Sequence, residues 1–350
     1  MAVDRERMHE LIGQMVGDMG AAASGALVLL GDRLGLWTAL AQGAGVSQAI
    51  ADRAQLAERY VREWLSAMAA SGYVTYEPET EEFALSAEQA MIFGDEDSPL
   101  YMLGGFYSIA ALYHDEPKLH DAFKSGAGVP WGEHHDCLFC GTAKFFRPGY
   151  RNNLISDWIP ALEGVQAELE TGAKVADVGC GQGVSTMLLA QAYPNAQCIG
   201  YDFHTPSVDE ANAQAAAAGI KNVCFDTASA KDYPGTDYDL ICFFDCLHDM
   251  GDPVGACQHA RQALKPDGTM MLVEPFAHDT LEENLTPVGR TFYSFSTMVC
   301  TPASLSQEVG LGLGAQAGEK RLREVCEQAG FTRFRRATET AFNLVLEVRP

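Results

Sequence analysis

The sequence predicts an α/β protein: a doubly wound, mostly parallel seven-stranded sheet preceded by a mainly helical winged-helix domain. Three observations carry the prediction. From residue 172 onward, short apolar runs alternate with helical stretches, as parallel strands do when crossover helices cover both faces of their sheet. At 177–183, DVGCGQG places glycines at the end of the first apolar run, where such a sheet turns tightly into its first helix. Before residue 95 the order is instead helix, helix, short hairpin, which is that of a winged helix.

Residues 24–42, SGALVLLGDRLGLWTALAQ, carry apolar positions at helical spacing with a Gly-Asp break inside. Ser47 caps the next helix, and a second runs from Glu58 to Ser71 with Tyr60, Val61, Trp64, Leu65 and Met68 along one stripe. The runs YVTYEP and EEFALS, joined at Pro-Glu-Thr, read as the hairpin. Residues 98–150 are aromatic-rich and broken by glycine, an irregular connecting and capping region, and NLISDWIPALEGVQAELE follows as an amphipathic helix. The sheet strands are then KVADVG, QCIGYD, VCFDTA, YDLICFFD and GTMMLVEP, with a closing hairpin of FTRFRRATET and AFNLVLEVRP that makes one edge antiparallel. The expected domains are a winged-helix dimerisation domain at 1–95, a helical connector and substrate cap at 96–171, and the sheet domain at 172–350 with a lid insertion at 280–316.

Nearly half of the 350 residues are hydrophobic, enough for a full-sized core in two ordinary domains. The net charge of −23 repels a phosphate backbone. The polar positions of the second helix, Glu58, Arg59, Arg62, Glu63 and Ser66, make a mixed face and not a basic one, so no nucleic-acid partner is expected. An acid-rich composition whose basic residues are mostly arginine fits a salt-adapted source and an ordinary acidic protein alike. The start MAVDRERMHELIG lacks the pattern of an export signal, and no continuous apolar run of about 18 residues occurs. A cytoplasmic protein with no membrane partner is expected. The ten cysteines then read as reduced thiols, mostly small core residues. HHDCLFC offers His134, His135, Cys137 and Cys140, but no second ligand pair stands at zinc-site spacing, so no metal is expected.

Gly179, Gly181 and Gly183 are spaced G-x-G-x-G and not G-x-G-x-x-G, and Asp177 precedes them where a phosphate cradle has no use for a carboxylate. Asp202 closes the second strand, placed to accept from both hydroxyls of a ribose. With no lysine in the loop, these residues point to a nucleoside that carries an ammonium and no phosphate chain.

The segments VADVGCGQG, GYDF, ASAKDYP, YDLICFFDCLHDMGDP and LKPDGTMMLVEP fall in the order and spacing of class I S-adenosylmethionine-dependent methyltransferases, which this half of the chain resembles. LGDRLGLWTAL, RYVREWL, SGYV and FFRPGYRNNLISDWIPAL resemble bacterial members with a winged-helix amino-terminal domain. The resemblance implies a Rossmann-like sheet, S-adenosyl-L-methionine as cofactor with S-adenosyl-L-homocysteine as product, and a homodimer through the amino-terminal domain. It puts the methionine part of the cofactor by Gly179 and Gly181, the ribose on Asp202 and the adenine beside Phe203, with Asp177 and Gly183 also among the cofactor-binding residues. Ser229 and Ala230 lie at the adenine edge, and Asp245 and Cys246 border the transferring methyl. Many relatives have aspartate at the position of Ser229, so that contact is weaker here or supplied by backbone.

Methyl transfer to a hydroxyl needs an in-line acceptor and a base. His248 stands just past the fourth strand in a His-Asp-x-x-Asp pattern completed by Asp249 and Asp252, where small-molecule O-methyltransferases place their base. A thioether acceptor needs orientation but no base, and an aromatic pocket tolerates the new cation. Tyr107, Tyr150 and Tyr293 with Arg147 and Arg290 are the candidate substrate contacts, the arginines for a substrate carboxylate. The relatives include S-methyltransferases of 4-methylthio-2-hydroxybutyrate in dimethylsulfoniopropionate synthesis, the favoured specific reading. O-methylation of a small hydroxylated natural product with His248 as base is the alternative, and an S-adenosylmethionine-responsive winged-helix DNA-binding regulator is the alternative outside enzymes.

Overall fold

The expected hairpin forms as β1 (Thr75–Glu77) and β2 (Glu82–Ala84), antiparallel with Tyr76 opposite Phe83, in a computed structural model that describes residues 3–350. Helix Glu58–Ala70 buries Val61, Trp64, Leu65 and Met68. Tyr60 leaves that stripe and is exposed, because it sits about 100° around the helix from Val61. Ser47 does not cap its helix: Val46 holds the cap position, and the Ser47 hydroxyl donates to Glu58 Oε1 at 2.5 Å. The core here stacks Trp37 on Phe93, with Trp64 edge-on to Trp37, contacts of about 0.5–1.5 kcal/mol each beyond burial.

The Gly-Asp step read as a break lies inside one continuous 29-residue helix, Arg5–Arg33. A Cβ at Gly31 would stand 2.4 Å from the Trp64 ring, so this glycine is a packing site for tryptophan and not a turn. By length and composition this helix alone, among the described residues, could cross a membrane. Leu11, Ile12, Met15, Val16 and Met19 on it are exposed. Residues 98–150 are also more regular than expected: Leu103–Ser125 and Cys137–Asn153 are helices, with Pro117 and Pro148 inside them. A Cβ at Gly104 would fall 2.3 Å from the Phe145 nitrogen, so the glycines there permit close backbone approach. The chain divides into two compact units, residues up to Ala111 with Asp136–Pro148, and Leu112–His135 with Gly149–Pro350.

The second unit holds the sheet. Its strands are β3 (Lys174–Val178), β4 (Gln197–Asp202), β5 (Val223–Thr227), β6 (Tyr238–Phe244), β7 (Leu264–Pro275), β8 (Arg333–Glu339) and β9 (Asn343–Arg349). They lie in the order β5-β4-β3-β6-β7-β9-β8, parallel except for β9 against both β7 and β8. The expected seven strands and closing hairpin are therefore present. Connections run outward in opposite directions from β3 and β6, so their carboxyl ends flank a topological switch point, where open α/β sheets bind ligands. Ile241, Phe243, Met270, Leu272, Leu344 and Leu346 are wholly buried between the layers, each such side chain contributing about 1.5–3 kcal/mol.

Candidate active site

The loop after β3 is shaped by glycines that no other residue replaces at equal cost. Gly179 and Gly183 have φ of 78° and 77°, a region that costs an L-residue about 1–2 kcal/mol. A Cβ would also stand 2.7 Å from Cys246 Sγ at Gly179 and 2.4 Å from the Phe225 ring at Gly183. Gly181, at φ 52°, differs: a Cβ there would meet nothing within 4 Å, so open space lies beside the backbone.

Asp177 is wholly buried, and its Oδ2 accepts from Ser185 Oγ at 2.7 Å and Thr186 Oγ1 at 2.6 Å. It thereby locks the first turn of helix Val184–Ala192 onto the strand. Its Oδ1 has no hydrogen-bond partner. Burial pushes the carboxyl up to about 6 against the opposing pull of those hydroxyls. Asp202 ends β4 and is aimed by two backbone donors, Gly181 N to Oδ2 at 2.9 Å and His204 N to Oδ1 at 2.8 Å. Burial raises its pKa as well. Phe203 follows it with its ring exposed, while Ser229 turns its hydroxyl to accept from Lys231 N, and Ala230 is half-buried beside it.

Asp245, just past β6, has φ 49°. Tyr150 Oη donates to its Oδ2 and Asn343 Nδ2 to its Oδ1, each at 2.8 Å. Burial and the nearby Glu274 charge push this carboxyl up to about 8, with the Tyr150 hydroxyl opposing. The Cys246 thiol donates to the Val178 carbonyl at 3.1 Å, tying the ends of β3 and β6 together. Among the described residues no lysine or arginine pairs with Asp177, Asp202 or Asp245. Acidic side chains without a cationic partner can take a cationic guest, whose charge in turn favours their ionised form. A sulfonium nucleoside fits this set: acidic side chains beside the loop, a ribose acceptor, open space at Gly181 and an exposed ring.

His248 lies in the short turn Leu247–Asp249 and is buried. Its Nδ1 is 2.6 Å from Glu274 Oε2, and the other carboxylate oxygen, Oε1, accepts from Leu247 N at 3.0 Å. The sequence pattern pointed to Asp249 and Asp252 as the carboxylate neighbours. Asp249 is near Nε2 instead, at 3.3 Å, and Asp252 caps helix Pro253–Ala263 through Gly255 N. The orienting carboxylate is Glu274. Register delivers it: β6 pairs with β7 up to Phe244 opposite Val273, so the next residue of β7 emerges beside the His248 turn. Its signal in the sequence was a lone acid closing the apolar run MMLVEP, since a buried charge demands a partner. Burial by itself lowers the His248 pKa, but the Asp249 and Glu274 charges outweigh it and hold the imidazolium well above the usual histidine range.

Segment 296–314 braces this turn. Ser304 Oγ donates to the Met250 carbonyl at 2.8 Å, Gln307 Nε2 to the Asp249 carbonyl at 2.9 Å and Gly314 N to the His248 carbonyl at 3.3 Å. Of the candidate substrate contacts, Tyr150 is brought to Asp245. Arg290 is exposed and Tyr293 half-buried, both on helix Pro287–Phe295. Tyr107 and Arg147 belong to the first unit, where Tyr107 Oη donates to Asp32 at 2.6 Å and Arg147 lies 3.8 Å from Glu96.

Comparison with known proteins agrees with this geometry. The family description "Methyltransferase domain" matches residues 169–330, and "Rv2258c-like winged HTH domain" matches 22–94. An uncharacterized methyltransferase of Bacillus subtilis is 32% identical over 113 residues, 32% of this chain and 44% of that protein. A ubiquinone biosynthesis O-methyltransferase of Leptothrix cholodnii is 30% identical over 131 residues, 36% of this chain and 53% of its own length. The chain thus spans about half the length of these relatives or less. Human N-acetylserotonin methyltransferase in complex with S-adenosylmethionine shares the fold at a TM-score of 0.71 and 16% identity, over 100% of this chain and 99% of that one. An O-methyltransferase family protein from Burkholderia thailandensis does so at 0.68 and 18%, over 100% and 99%. Residues 169–330 accordingly form a class I S-adenosylmethionine-dependent methyltransferase domain, preceded at 22–94 by an Rv2258c-like winged helix-turn-helix domain.

Proposed function

We propose that the chain transfers a methyl group from S-adenosylmethionine to a hydroxyl oxygen of a small molecule, with His248 as the general base. The observation that carries this reading is the buried Glu274–His248 pair. A carboxylate on Nδ1 fixes the tautomer that leaves the Nε2 lone pair for an acceptor's proton and stabilises the imidazolium that forms. A thioether has no proton to give up, so S-methylation of 4-methylthio-2-hydroxybutyrate leaves this pair without a task, and the hydroxyl acceptor is the better fit. Asp202 takes the ribose, Phe203 the adenine face, and Gly179, Gly181 and Gly183 the methionine part. Asp177, having no exposed surface, acts by holding the loop. The bound cofactor supplies an electrophilic methyl group on a sulfonium; the protein aligns the acceptor and removes its proton. On helix Glu58–Ala70, Arg59 pairs with Glu63 and Arg62 with Glu58, leaving little positive charge for DNA.

The testing experiment is an S-adenosylhomocysteine-release assay across pH with phenols, hydroxy acids and 4-methylthio-2-hydroxybutyrate. Turnover is expected for hydroxyl acceptors. Because the His248 pKa is raised and only the neutral form is a base, kcat/KM should be lost as pH falls, with a midpoint above the ordinary histidine value of about 6.5. Thioether turnover with a pH-independent rate overturns the reading.

A homodimer through residues 1–95 is part of the same proposal. Met8, Ile12, Met15 and Met19 are exposed and recur on helix Arg5–Arg33 at the alternating four- and three-residue spacings of a helix-pairing seam. Light scattering at micromolar concentration should give twice the chain mass, and Met15→Glu with Met19→Glu should return the monomer. A monomeric parent chain removes the dimer.

A further inference from the structure

One ligand atom each of His248, Asp249 and Cys300 lies within 4.8 Å of the other two, although Cys300 comes from the distant turn Ser296–Cys300. Nε2 and Oδ1 are 3.3 Å apart, the separation produced by two bonds of about 2.0 Å meeting at a tetrahedral angle. Oδ1 is buried, the Cys300 thiol interacts with both Asp249 and His248, and the His248 and Cys300 side chains are buried as well. Behind the ring, Nδ1 faces the Glu274 carboxylate, the outer-shell partner that metal-ligating histidines almost always have. Two carboxylates face one imidazole here, and neither Asp249 nor Glu274 has a lysine or arginine partner among the described residues.

We propose that His248, Asp249 and Cys300 bind a borderline-soft divalent cation, Zn²⁺, and that its occupation withdraws the base. Imidazole nitrogen, thiolate sulfur and carboxylate oxygen are all zinc ligands, and three of them leave a fourth position for water. On binding, the Cys300 thiol proton and the Nε2 proton of the charged imidazole leave to solvent and Zn–S, Zn–N and Zn–O bonds form; nothing is oxidised or reduced. Nε2 cannot ligate zinc and accept a proton at once. The withdrawal of the base rests on the proposed function, whereas the binding does not.

Chelator-treated, reduced protein is titrated with Zn²⁺ against a chromophoric indicator, and with Co²⁺ followed by absorption, in the absence of cofactor and acceptor. The wild-type chain is expected to bind one more equivalent than Cys300→Ser, with a thiolate-to-cobalt charge-transfer band that the variant lacks. Asp249→Asn should keep that band and lose at least about tenfold in affinity. Melting curves identify any variant that has not folded. Equal stoichiometry and equal spectra for wild type and a folded Cys300→Ser overturn the site. Binding without any Zn²⁺ inhibition of methyl transfer overturns the withdrawal of the base and counts against His248 as base, while the site itself stands.

Discussion

His248→Ala is expected to lower kcat/KM for a hydroxyl acceptor by about 10²–10⁴-fold, the usual contribution of a positioned acid–base group. Affinity for S-adenosylhomocysteine should change little, because Asp202 is aimed by the backbone of Gly181 and His204, away from the imidazole. The truncation has a second consequence: it leaves the buried Glu274 carboxylate without its imidazole partner, and an unpaired buried charge is strongly destabilising. His248→Gln, whose amide can still donate to Glu274, separates the two effects. It should melt closer to the parent chain than His248→Ala and yet be nearly as inactive. Turnover within about tenfold of wild type in both variants removes the base.

The architecture was open to sequence reading because alternation is a local signal. The central sheet strands are short apolar runs bounded by turn residues, and the glycine loop, Asp202 and His248 each lie at or just past a strand end. What escaped depends on pairing between distant segments. Glu274 meets His248 only because β6 and β7 adopt a particular register, and Cys300 joins them through a turn more distant still. Local spacing offered Asp249 and Asp252 in its place, and one of those turned out to be a helix cap. Glycine misled for the same reason. Gly31 and Gly104 look like helix breakers by propensity, but their lack of a side chain serves the Trp64 ring and the Phe145 backbone, partners that lie far away in sequence.

Glu274→Gln is the sharper test of the site, because it keeps the shape and changes the charge. The carboxylate now accepts twice, from Leu247 N and from His248 Nδ1. Glutamine has one acceptor oxygen and one donor amide. If its oxygen serves Leu247, the amide meets Nδ1 as a donor and forces the proton to Nε2, the tautomer that cannot accept from substrate. A wrong tautomer of this kind costs about 10⁴-fold in a serine protease triad; here a loss of about 10²–10⁴-fold in kcat is expected, with cofactor affinity nearly unchanged. The sign of the pH effect follows separately. Glu274 is among the charges that hold the His248 pKa up, so its removal lowers that pKa, and the residual activity should persist to lower pH than in wild type. A purely structural role for Glu274 predicts lower stability without movement of the pH midpoint. Unchanged kcat together with an unmoved midpoint would show that the buried pair is not what drives proton removal.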